Sequence, residues 1–105
     1  MTVVVTGAAG HVGANLVRAL QARGRPVRAV IHHERHALEG LDLEVVEGNV
    51  CDLASLERAF DGAEVVYHAA IRISISMDDW PEVEPINVAG TRNVIEACRR
   101  FGVRR

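Results

Sequence analysis

Thr6-Gly7-Ala8-Ala9-Gly10-His11-Val12-Gly13 is the stretch whose residue types and spacing can do chemistry, and it does so through the backbone. The apolar run Val3-Val4-Val5 leads into it and an amphipathic segment leaves it. A buried strand that turns through glycines into a helix aims main-chain N–H groups at one point. The helix dipole adds positive character there, and the combination suits a phosphate. In that reading Gly7 permits the tight turn, Gly10 leaves room for a pyrophosphate, and Gly13 lets the helix pack closely on the sheet. The glycine intervals are three and three, against the two and three of the common dinucleotide fingerprint. The competing reading is a glycine turn that serves packing alone.

Other reactive side chains are sparse. The chain has no lysine, all twelve basic residues are arginine, and Tyr67 is its single tyrosine. Proton transfer by a Tyr–Lys pair is therefore unavailable to these residues alone. Cys51 and Cys98 lie far apart without metal or redox spacing and read as two small half-buried thiols. His32, His33 and His36 share a polar segment, but no cysteine or carboxylate constellation joins them, so a loop is the better reading than a metal site. The net charge of −2 gives no reason to expect nucleic acid or an anionic membrane as partner. No apolar run approaches the roughly 20 residues of a membrane span. With 49% apolar residues in 105, the expectation is one soluble cytoplasmic domain with a real core.

An α/β frame is needed to hold the turn. Residues 2–6 read as strand one and residues 11–23 as helix one, whose Gly13, Leu16, Val17 and Leu20 share a face before Gly24. Val27 to Ile31 is strand two, residues 32–42 a polar loop with a turn of helix, and Leu43 to Glu47 strand three. Asp52 can cap a short helix over 53–60 that Gly62 ends, and Glu64 to His68 is strand four. Residues 71–77 alternate apolar and polar, as a strand extension or an ordered loop would. Pro81 and Pro85 push the secure part of the last helix to 86–101, after a looser first turn, with Gly90, Val94, Ala97, Cys98 and Phe101 inside and Gly102 past its end. This order predicts a Rossmann-like doubly wound parallel sheet of strand order 3-2-1-4 with helices on both faces. Residues 7–13 and 68–72 then meet at the switch point between strands one and four.

Four segments in this order resemble the short-chain dehydrogenase/reductase superfamily, in its extended epimerase/dehydratase branch. They are the glycine turn, Gly48-Asn49-Val50-Cys51-Asp52-Leu53, His68-Ala69-Ala70, and Asn87-Val88-Ala89-Gly90-Thr91-Arg92-Asn93. The resemblance implies a nicotinamide dinucleotide. Its phosphates would lie on Gly7, Ala9, Gly10, His11, Val12 and Gly13. Its adenine would lie by Asn49, Val50 and Asp52, with Asp52 accepting from the adenine amino group, and its ribose and nicotinamide by His68, Ala69 and Ala70. Asn49 stands where an acid is usual. Asp52 as a helix cap competes with the adenine role, and on its own evidence His68 is a core-edge imidazole. Asn87 is expected to brace the sheet end, and Gly90 to allow close packing.

Cofactor choice turns on the end of strand two, where an acid would hold the ribose of NAD and an arginine the 2′-phosphate of NADP. Ile31 is followed by His32-His33-Glu34-Arg35, with no acid directly at the strand end. Many relatives carry arginine where His32 stands. The lean is to NADP over NAD, through His32 and Arg35, although Glu34 can also reach the ribose.

In the family a Tyr-x-x-x-Lys pair moves the proton. Tyr67 lies in strand four with Ile71 four residues on, so no catalytic residue is assigned. The chain reads as the N-terminal part of a longer enzyme, inactive alone, with an open sheet edge at strand four. The parent is expected to be an NAD(P)-dependent epimerase/dehydratase or a carbonyl reductase of the dihydroflavonol-reductase or hydroxysteroid-dehydrogenase type. It would act by hydride transfer on a small-molecule substrate. A homodimer through the last helix is an assembly the resemblance implies. The alternatives are a non-catalytic NAD(P)-sensing regulator of the NmrA type and a self-sufficient nucleotide-binding module. The Asn87-to-Thr91 segment favours the enzyme branch.

Overall fold

Apolar residues on consecutive positions of a strand have to be covered on both faces, and that is how Val3, Val4 and Val5 are used. The computed structural model describes residues 2–33, 36–71 and 80–105. Its elements are β1 (Thr2–Thr6), α1 (His11–Ala22), β2 (Val27–Ile31), a 3₁₀ turn (His36–Leu38), β3 (Glu44–Glu47), α2 (Leu53–Phe60) and β4 (Ala63–His68). After residues 72–79 come α3 (Trp80–Glu84), a π-helical turn (Pro85–Ala89) and α4 (Gly90–Arg100). The four strands form one parallel sheet of order β3-β2-β1-β4, the Rossmann-like arrangement expected from the element order.

Alternation along the strands divides the core in two. Val4 and Val30 face α2 and α4, where they join Leu56, Phe60, Val94 and Ala97. Val5, Ala29 and Ile31 face α1, where they join Ala14, Val17 and Leu38. Fully burying one such side chain contributes about 1.5–3 kcal/mol relative to leaving it exposed, so neither face can be bared cheaply.

The last helical region departs from its sequence reading. Helix runs from Trp80 through Pro85 to Arg100, so the looser turn expected before residue 86 is regular helix and the irregular turn falls at Pro85–Ala89 instead. Pro85 has no N–H for the ladder, and the chain widens into a π turn in which the Gly90 N–H reaches the Pro85 carbonyl. Phe101 is also outside the inner stripe: it follows the final helical residue and is 37% exposed. The β4 edge is not bare. Arg104 N–H donates to the Glu64 carbonyl at 2.9 Å and Val66 N–H to the Arg105 carbonyl at 2.9 Å. The alternation in residues 71–77 lies outside the described residues, apart from exposed Ile71. Among the described residues no helix is long and apolar enough to cross a membrane.

Candidate functional site

The loop from β1 to α1 is built by contacts no side chain could share. Gly7 has φ +63°, and a Cβ there would lie 2.6 Å from the backbone of Ala69 and Ala70. Gly7 thus serves the turn and also the approach of the segment after β4. A Cβ at Gly13 would lie 2.1 Å from the Gly7 carbonyl oxygen. Gly13 therefore packs α1 against the turn itself, a correction to its expected role against the sheet. Gly10 differs from both. It caps α1 with φ −79°, is exposed, and a Cβ there would meet only the Gly7 oxygen, at 3.3 Å.

No side chain caps α1, and its first turn holds no acid. The N–H groups of the first helical turn have no carbonyl partner within the helix. α2 contrasts with it, because there Asp52 Oδ1 accepts from Ala54 N–H at 3.2 Å. The capping reading of Asp52 is thus realised.

At the C-terminal ends of the strands a cleft of about 580 Å³ opens beside this turn. Of the residues singled out in the sequence, Gly7, Ala9, Gly10, His32, Asn49, Val50, Ala69 and Ala70 line it. His11, Val12, Gly13, Asp52, His68 and Asn87 are not in its lining. Arg35 lies outside the described residues, as does Glu34. His32 and His33 are exposed at the end of β2 with their rings stacked 3.9 Å apart. Among the described residues no cluster of His, Cys, Asp and Glu could hold a metal ion.

The β3–α2 connection forms the wall by Asn49 and Val50. Asn49 Oδ1 accepts from Cys51 N–H at 2.9 Å, and Ser55 Oγ both accepts from Asn49 N–H and donates to Asp52 O. Val50 is held from α4: Asn93 Nδ2 donates to its carbonyl at 2.8 Å, and its side chain lies where a Cβ on Gly90 would be, 2.7 Å away. The close packing expected at Gly90 is therefore against Val50. Cys51 is exposed in the cleft wall rather than half-buried, and Cys98 is the half-buried thiol, its pKa raised by desolvation.

His68 points between β1 and α4. Nδ1 is 2.7 Å from Thr6 Oγ1 and Nε2 is 3.1 Å from Thr91 Oγ1. Both ring nitrogens are engaged, so the imidazole at the core edge is held from two sides. Thr6, fully buried, also accepts from Ala69 N–H and Ala70 N–H at 3.1 and 3.3 Å. Thr6, Thr91, Asn93 and Ser55 are the site residues that sequence reasoning missed. A polar residue ending an otherwise apolar strand was the available signal for Thr6.

A family model described as the NAD dependent epimerase/dehydratase family matches residues 3–105. "Sterol demethylase protein B" of Methylococcus capsulatus is 49% identical over the whole of this chain and 33% of its own length. A "3 beta-hydroxysteroid dehydrogenase/Delta 5-->4-isomerase" of Mycobacterium tuberculosis is 36% identical over 98% of the chain and 30% of its own. Among solved structures, the UDP-glucose 4-epimerase of Thermus thermophilus in complex with NAD superposes with a TM-score of 0.89 at 32% identity, covering 98% of this chain and 35% of that one. The chain spans about a third of the length of the curated relatives it matches.

Proposed function

The chain belongs to the NAD-dependent epimerase/dehydratase family, and from that premise we propose that it is the part of an oxidoreductase or epimerase that binds a nicotinamide dinucleotide. The carrying observation is the start of α1: a helix N-terminus with no side-chain cap and no acid, opening at side-chain-free Gly10 into the cleft. Packing restricts Gly10 far less than Gly7 and Gly13, a Cβ there pressing only on the Gly7 oxygen at 3.3 Å, and a ligand in the cleft would add a second reason for glycine. The residues fit the group. The first-turn amides of α1 and the turn at Gly7 and Gly10 would hold the diphosphate. Asn49 and Val50 would flank the adenine, and Ala69 and Ala70 would form the wall by the nicotinamide ribose, whereas Asp52, which caps α2 outside the cleft lining, is not placed to accept from the adenine. When bound, the nicotinamide supplies hydride transfer at a carbonyl or alcohol carbon.

NADP is the proposed preference. Ile31 is followed by two histidines, His32 and His33, whose rings stand at the cleft and can donate to a 2′-phosphate. Related structures with NAD bound show that the fold accepts the unphosphorylated form as well. The names of two relatives concern sterols and hydroxysteroids, and a hydroxysteroid-like alcohol or ketone is the proposed substrate class of the whole protein. These residues include no lysine, so the family's Tyr–Lys proton transfer is not assembled from them and the chain alone is proposed to be inactive.

Calorimetric titration of the protein with NADP and NAD tests this reading. Binding is expected, and Gly10→Val should abolish it by filling the space at the diphosphate. His32→Asp should move the preference toward NAD by roughly tenfold, through repulsion of the 2′-phosphate. No heat and no thermal shift at millimolar dinucleotide, or unchanged affinity in Gly10→Val, would refute it.

A further inference from the structure

Hydrogen counting fixes every proton around the His68 ring. Thr91 Oγ1 lies 2.8 Å from the backbone carbonyl of Asn87, which only accepts, so the Thr91 hydroxyl hydrogen is spent there. Toward the ring Thr91 can then only accept, so the ring hydrogen is on Nε2 and Nδ1 is bare. Bare Nδ1 accepts the hydroxyl hydrogen of Thr6. The lone pairs of Thr6 Oγ1 take the N–H groups of Ala70 and of Ala69, the latter shared with the Thr6 carbonyl at 3.3 Å. Donors and acceptors run in one direction, from those two amides through Thr6, His68 and Thr91 to Asn87.

We propose that His68 is a positioning residue: as the neutral Nε2–H tautomer it orders a relay that fixes the Ala69–Ala70 backbone against the glycine turn. Gly7 and this backbone are in direct contact, the position of a Cβ on Gly7 being 2.6 Å from it. Any shift of Ala69–Ala70 therefore reaches the turn. In its functional half, the positioning of a cofactor wall, the inference rests on the dinucleotide reading above.

A second ring proton would undo the relay. Protonated Nδ1 would aim a third donor at Thr6 Oγ1 and leave the Thr6 hydrogen without an acceptor. The ring meets Thr6 from β1 and Thr91 from α4, both uncharged. Among the described residues no ion pair reaches it. Burial acts in the same direction, lowering the His68 pKa from 6.5.

The test is nitrogen-15 NMR of the ring and amide hydrogen exchange in the protein without ligand, followed by dinucleotide titration. The Nε2–H tautomer is expected near neutral pH, with slow exchange at Ala69 and Ala70. His68→Asn can put Oδ1 in the place of Nδ1 and restore the Thr6 acceptor, whereas His68→Gln restores only the Thr91 end. The Gln variant should therefore exchange the Ala70 amide faster, and bind dinucleotide more weakly, by roughly tenfold than the Asn variant. An Nδ1–H tautomer overturns the proposal, as do equal exchange and affinity in the two variants. If the relay is found as expected and the native protein binds no dinucleotide, the cofactor reading fails while the ordering of Ala69–Ala70 stands.

Discussion

Gly13→Ala is expected to destabilise the fold even though alanine is the better helix former. The added carbon would lie 2.1 Å from the Gly7 carbonyl oxygen, 2.8 Å from the Gly7 carbonyl carbon and 3.0 Å from the Ala8 α-carbon. Comfortable separation of such atoms is about 3.5 Å, and all three obstacles are backbone, so no rotamer change relieves them. Gly7 cannot retreat, because its other side meets Ala69 and Ala70. The helix itself must lift, and with it Ala14 and Val17, both buried against the α1 face of the sheet. Overpacking of this kind costs about 1–3 kcal/mol, and a backbone clash this short belongs at the upper end. Helix propensity returns about 1 kcal/mol. The net loss of about 2 kcal/mol corresponds to a fall in Tm of roughly 8–16 °C for a domain of this size. Thermal unfolding followed by far-ultraviolet circular dichroism measures it. A Tm equal to or above that of the native chain would refute the assigned contact between α1 and the turn.

Asp52→Ala should cost about 1 kcal/mol by removing the cap on α2, while Asp52→Asn should keep most of it; urea midpoints rank the two. Should Asp52→Asn keep its stability and yet bind dinucleotide more weakly, the adenine role acts beside the cap. Acid weakens the fold in two separable steps. Because burial lowers the His68 pKa, the unfolded chain takes up that proton first; its contribution is full above about pH 6.5 and is lost as pH falls through the folded value. Urea midpoints measured at neutral and at mildly acid pH should differ in the native chain, and less so in His68→Asn. Hydrogen bonds from Arg99 and Arg100 hold the Glu96 carboxyl at about 2, below its usual 4.5. What this exposed cluster contributes is therefore present above pH 4.5 and disappears as pH falls through about 2. A carboxyl titration by NMR reads that midpoint, and a value near 4.5 would mean the pairing is absent in solution.

Much of the frame was legible because its signals are local. Val3-Val4-Val5, Ala29-Val30-Ile31 and Val65-Val66 are apolar runs that suit a sheet covered on both faces, and the helical stripes between them favour parallel crossovers. The sheet order and the meeting of residues 7–13 with the end of β4 follow from that alternation. The positive-φ glycines at 7, 24, 62 and 102 end or begin elements where sequence reasoning expected turns. The looser turn expected before residue 86 is helical from Trp80, and the irregularity falls at Pro85–Ala89, where the helix widens to pass the proline.

Residue order alone thus determined a glycine turn on a doubly wound parallel sheet, since strand, glycines and helix are contiguous and their periods are written along the chain. Only the tertiary structure decided what the individual site residues touch. Thr6 meets His68 across 62 positions and Asn93 meets Val50 across 43. Gly13 presses on Gly7, and Asp52 faces its own helix. Such partners are chosen by where packed elements bring backbone and side chains together in space. A linear pattern records the period of an element, and the identity of its neighbour is set only when the core closes.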